Sequence, residues 1–196
     1  MKHLCEFVKG HKIEKAIDYK YHPANRDELI ECIKKEIDIQ GNNADLNCID
    51  TSAITDMHSV FYNLDFNGDI SGWDVSKVKD MFGMFFISKF NGDISTWDVS
   101  NVENMAYMFF NSKFNKDISE WDVSNVENTR DMFAFSVFVG DISKWDVSNV
   151  KNMESMFQGS TFNGDISRWN VSNVKNMGQM FEDSPLDGKE PKWYIA

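Results

Sequence analysis

The stretch "FNGDISGWDVSKVKDMFGMF", residues 66–85, decides the fold, because it returns almost unchanged at Phe90, Phe114, Phe138 and Phe162. The spacing is 24 residues, with no insertion between copies. One period earlier, "DLNCIDTSAITDMHSVF" keeps Asp45, Leu46, Ile49, Asp50, Ser52, Ile54, Met57, Val60 and Phe61 in the same columns. One period later, "LDGKEPKWYIA" keeps Trp193. All six tryptophans share one column, and ten of the eleven methionines share two. A fixed period of roughly 20–50 residues with altered ends marks a stack of units, none of which can bury its apolar residues without neighbours. The unvarying columns are therefore the expected core.

Within one unit the apolar positions are Phe90, Ile94, Trp97, Val99, Val102, Met105, Met108 and Phe109. A very short strand is expected around Asp93–Ile94–Ser95, after the Gly92 turn. The run "SNVENMAYMF" (100–109) reads as a short helix, with Ser100 and Glu103 as a capping box and Val102, Met105, Met108 and Phe109 on one face. The expected fold class is thus an α/β solenoid with short parallel strands about 4.8 Å apart, short helices behind them and a helical N-terminal cap.

The chain divides into an N-terminal cap (1–41), a degenerate first repeat (42–65), five regular repeats (66–185) and a partial C-terminal cap repeat (186–196). In the first segment, "NRDELIECIKKEIDIQG" predicts an amphipathic helix over 26–40. Asn25 and Glu28 stand at its start, Leu29, Ile30, Ile33 and Ile37 point inward, and Gly41 ends it. "AIDYKY" before it is expected to be a strand.

A net charge of −11 argues against nucleic-acid binding, which needs clustered Lys and Arg, and against anionic membrane surfaces. No stretch has the about 20 apolar residues of a spanning helix, and the N-terminus lacks the apolar run of a secretory signal. Cys5, Cys32 and Cys48 show neither disulfide-framework nor zinc spacing and are expected to be small thiols of the interior. His3, His11, His22 and His58 form no partner set with a nucleophile, and no phosphate-binding loop is present, so no enzyme activity and no cofactor are expected.

The repeat FNGDISxWDVSNVxNMxxMFxxS resembles the BspA-like leucine-rich-repeat family, the bacterial surface-protein repeat of the mycoplasma lipoprotein type. The likeness covers Asp45 to about Trp193, and "YHPANRDELIECIKKEIDIQGNNADLN" is similar to the segment that precedes such repeats. The resemblance implies a right-handed leucine-rich-repeat coil and a protein-binding role, in some members adhesion to host or neighbouring-cell proteins. It also implies the cell surface, whereas the chain shows neither a leader nor an anchor, which leaves a cytoplasmic location open.

Three surface features could carry function. Asp69, Asp93, Asp117, Asp141 and Asp165 form a ladder whose repulsion something must offset: calcium between the coils, or hydrogen bonds from backbone amides. Asp74, Asp98, Asp122 and Asp146 form a second ladder that ends at Asn170, which favours hydrogen bonding. The residue before each Trp runs Gly72, Thr96, Glu120, Lys144, Arg168, either a recognition row or a solvated edge. The column Phe86, Phe110, Ala134, Gln158, Glu182 and its neighbour Ile87, Asn111, Phe135, Gly159, Asp183 lose apolar character toward the C-terminus. Where these side chains are exposed, Phe86, Phe110, Ile87 and Phe135 form an apolar patch of the kind that marks a partner site. The reading is a protein-binding module that meets an unidentified protein, as a surface adhesin-like protein, a cytoplasmic scaffold, or a calcium-stabilised module.

Overall fold

Helix α1, Arg26–Gln40, starts where Asn25 Oδ1 accepts the Glu28 amide at 3.0 Å while the Glu28 carboxylate accepts the Ala24 amide at 2.8 Å. It stops at Gly41, whose positive φ of 81° lets its amide reach back to the Ile37 carbonyl at 2.7 Å. The computed structural model describes residues 18–195. Cys5, His3, His11 and the start of the expected "AIDYKY" strand lie outside them. Leu29, Cys32 and Ile33 are buried and join the core of the first coil. Tyr21 makes a single parallel bridge to Ile49, and the Lys20 amide donates to the Cys48 carbonyl at 2.8 Å.

Glu36 is 2% exposed on the inner side of α1. Burial pushes its carboxyl up, but hydrogen bonds from Lys20, from Tyr21 (2.8 Å) and from Gln40 outweigh burial and hold it below the ordinary value. The pair with Lys20 ties the segment before α1 to the helix.

From Asn42 onward the chain makes 24-residue coils stacked at the sequence period, but they are not the α/β leucine-rich-repeat solenoid that the sequence leads one to expect. Among the described residues α1 is the sole helix, and no strand forms; pairing is limited to isolated parallel bridges, six of the seven at an offset of 24. The stretch read as a helix shows why. The amides of Met105, Tyr107, Phe109 and Asn111 donate to Asn128, Arg130, Met132 and Ala134 of the next coil at 2.8–2.9 Å, and those of Met108, Phe110 and Ser112 donate three residues back. Tyr107 and Asn111 have φ of 60° and 47°, in the left-handed region that interrupts any helix. This stretch is a string of tight turns laid against its successor. Apolar spacing of three and four residues serves such turns as well as it serves a helix.

The capping box of the repeats fails for a related reason. The Ser100 amide and hydroxyl both bond Asp98 Oδ1, at 3.1 and 2.6 Å, and the Glu103 amide donates to the previous coil at Lys79. Asp98 makes a local turn instead, as Asp and Asn readily do. The strand expected at Asp93–Ile94–Ser95 is likewise replaced by a turn on Asp93.

The core is made of side-chain rows running through the stack. Phe66, Phe90, Phe114, Phe138 and Phe162 stack 6.0–6.3 Å apart. Beside them run Phe61, Phe85, Phe109, Phe133, Phe157 and Phe181, 5.4–6.0 Å apart. Each tryptophan from Trp73 to Trp193 donates its indole N–H to a carbonyl of the preceding coil at 3.0–3.2 Å, so the rings from Trp73 to Trp169 are buried, and that of Trp193 half-buried, with the one polar atom satisfied.

Candidate interaction surface

Each coil carries Asx turns that leave its outer loops polar. In the first aspartate ladder, Oδ1 of Asp69, Asp93, Asp117, Asp141 and Asp165 accepts the amide two residues on at 2.9–3.0 Å. The amides and hydroxyls of Ser95, Ser119, Ser143 and Ser167 hold the carboxyls of Asp93, Asp117, Asp141 and Asp165 below the ordinary range. At Asp117 the neighbours Asp93 and Asp141 push the other way and lose. At Asp69 burial raises the carboxyl, and the bonds from Ser71 and Asn47 overcome it. Local hydrogen bonds thus offset the like-charge repulsion.

The row Gly72, Thr96, Glu120, Lys144 and Arg168 is exposed throughout, with a 3.6 Å ion pair between Glu120 and Lys144. An exposed pair of this kind contributes little.

The apolar columns are brought together. Phe86 and Phe110, both half-buried, stack at 4.6 Å; Tyr62 stacks on Phe86 at 5.3 Å, and Phe135 meets Phe110 edge-on at 5.5 Å. The result is one aromatic band across four coils. Tyr107 joins it between Phe86 (6.0 Å) and Phe110 (5.7 Å), and Phe82 packs on Tyr107 at 5.3 Å. Tyr62, Phe82 and Phe135 stay 52%, 39% and 49% exposed. Tyr62 stands in the same column as Phe86, one coil earlier, and could have been found there. Phe82 and Tyr107 stand in columns filled by His58, Ala106 and Arg130 or by Ser59, Gly83 and Asp131, which carry no such signal.

The band has a built end. Phe135 lies over Gly159, where an added Cβ would come within 2.5 Å of its ring. Beyond it the column turns polar, with Gln158 bonded to Glu182 at 2.6 Å. At the side, the Arg130 guanidinium sits 5.9 Å from the Tyr107 ring centre and is held by Asp131 (3.1 Å) and Glu154 (3.3 Å).

Left-handed backbone recurs in every coil, and in one of its columns two bulky apolar residues stand beside the band. Ile87 (φ 53°, 39% exposed) and Phe135 (φ 56°) occupy a left-handed column that other coils fill with Asn63, Asn111, Gly159 and Asp183. A β-branched residue is the least suited to that conformation. Stability alone favours Asn or Gly here.

A family model described as "Mycoplasma protein of unknown function, DUF285" matches residues 32–139 and 112–193, and the chain belongs to that family. No curated protein and no solved structure matches the chain.

Proposed function

We propose that this family member is a protein-binding module whose contact surface is the aromatic band formed by Tyr62, Phe82, Phe86, Ile87, Tyr107, Phe110 and Phe135. The single observation that carries the reading is Ile87, a β-branched residue that is exposed and strained at φ 53°. A bulky residue held exposed in a strained conformation fits a role outside the fold. The contiguity of the rings supports the same reading, since aromatic side chains anchor protein interfaces at low entropic cost. The likeness of the repeat to BspA-type bacterial surface repeats supports a partner on a host or neighbouring cell.

A photo-crosslinking amino acid placed at Tyr62 or Phe135, and as a control at Lys144, tests the proposal in the source cells with neighbouring cells present. The expected result is one adduct common to Tyr62 and Phe135, lost on Phe86→Ser. No adduct from the band, or the same adducts from Lys144, refutes the assignment.

A further inference from the structure

Three coils carry the same hexapeptide, FNGDIS, at 66–71, 90–95 and 162–167, and with it three Asn–Gly pairs. An Asn followed by Gly is prone to lose its side-chain amide, because glycine, with no Cβ, lets the following nitrogen approach the Asn side chain. Packing keeps the glycines in place. A Cβ on Gly68, Gly92 or Gly164 would come 2.6–2.7 Å from the ring of Phe66, Phe90 or Phe162. The amides of these three glycines donate to no acceptor among the described residues, so each nitrogen faces its neighbour unoccupied.

The three asparagines are held differently. Asn67 Oδ1 accepts the Asn91 amide at 2.7 Å, Asn91 Oδ1 accepts the Asn115 amide at 2.9 Å, and Asn115 Oδ1 accepts the Val139 amide at 3.0 Å. Val139 brings no side-chain acceptor, and the ladder stops there. One coil on, neither the amide nor the side chain of Asn163 makes a hydrogen bond among the described residues. Asp187 stands in the same column of the following turn, but its amide goes back to the Ser184 carbonyl at 3.1 Å. Exposure does not separate the sites, since Asn67 and Asn163 are both exposed.

We propose that Asn163 is a modification site, at which the folded chain deamidates selectively to isoaspartate and aspartate. The Gly164 nitrogen gives up its proton and attacks Asn163 Cγ. The Cγ–Nδ2 bond breaks, ammonia leaves with a proton from solvent, and a succinimide remains. Water then opens one of the two ring carbonyls and leaves a carboxylic acid, which ionises at neutral pH and adds a negative charge. Where isoaspartate forms, the main chain runs through the former side chain and gains an atom between Phe162 and Ile166, both buried. At Asn67 and Asn91 the same ring closure must turn Cγ away from the next coil and break its bond, so local opening has to come first. The site is independent of the aromatic band.

The shared hexapeptide supplies the control, because sequence gives the three sites the same intrinsic rate. The full chain is aged folded in mildly alkaline buffer and, in parallel, in urea. The three peptides are then followed by mass spectrometry, with an isoaspartate methyltransferase as the probe that separates isoaspartate from aspartate. In the folded chain Asn163 should convert about three- to tenfold faster than Asn67 or Asn91, the effect of one hydrogen bond, and in urea the three should convert alike. Asn163→Gln should remove the new acidic form on isoelectric focusing. Equal rates in the folded chain, a lead for Asn67 or Asn91, conversion of Asn163 in urea alone, or an acidic form that persists in Asn163→Gln each overturn the proposal.

Discussion

The indole nitrogen of Trp121 donates to the carbonyl oxygen of Ile94, 27 residues earlier and 3.1 Å away. Its ring is 4% exposed and packs on Phe109 of the preceding coil at 6.4 Å. Replacing Trp121 by Ala removes this packing from two coils at once and should cost about 3–5 kcal/mol. Trp121→Phe, which keeps a ring and loses the bond, should cost about 1–3 kcal/mol. Urea unfolding followed by circular dichroism measures both; an unchanged midpoint for Trp121→Ala contradicts the shared core.

Phe109 and Phe110 are neighbours with different tasks. Phe109 is 0% exposed, so Phe109→Ser should cost about 3–5 kcal/mol. Phe110→Ser, in the band, should cost less than half of that and weaken the crosslink to the partner. Equal thermal destabilisation of the two variants would reassign Phe110 to the core.

Gly159 combines a φ of 60° with a ring above it, the nearest Phe135 atom lying 2.5 Å from an added Cβ. Gly159→Ala should destabilise by about 1–2 kcal/mol through left-handed strain, and it must also lift Phe135. Asn111→Gly, at φ 47° in the same column, should be neutral or slightly stabilising. Thermal melts of the two variants side by side decide whether the conformation at this column carries the cost.

Acid should loosen the N-terminal segment. Because Glu36 is held below its ordinary value of 4.5 in the folded chain, the unfolded state binds the proton more readily. Its contribution is complete above about pH 4.5 and is lost as pH falls through the depressed folded value. Glu36→Gln should therefore lower stability at pH 7 and converge on the parent once pH has fallen below the depressed folded value. A pH-independent difference would mean that the carboxylate charge contributes nothing.

Local amides occupy Oδ1 throughout the first aspartate ladder, so calcium and chelator should leave the thermal midpoint unchanged. A rise of several degrees with calcium, reversed by chelator, would show that the ladder also holds cations.

The period, the core columns and the end of α1 at Gly41 can all be read from the sequence, because identical side chains must stack at the repeat and because Gly in the left-handed region leaves a local mark. The path inside each coil cannot. Met105, Met108 and Phe109 have helical spacing, yet the partners of the Met105 and Phe109 amides lie at Asn128 and Met132, and no local propensity encodes a bond to the next coil. The Asp–x–Ser turns were visible, and they compete with the capping box for Ser100. The aromatic band was half legible: Phe86 and Phe110 stand out by column, while Tyr107 enters only through packing across coils.

The bonds that each coil donates to the next also bear on biosynthesis. On a ribosome α1 emerges ahead of the coils, so it is present before the coil it covers. Every later coil waits for its successor: Met105, Tyr107, Phe109 and Asn111 have no acceptors until Asn128–Ala134 has left the exit tunnel. Folding during synthesis therefore trails translation by one whole coil, and a ribosome that pauses leaves a donor edge bare for the length of the pause.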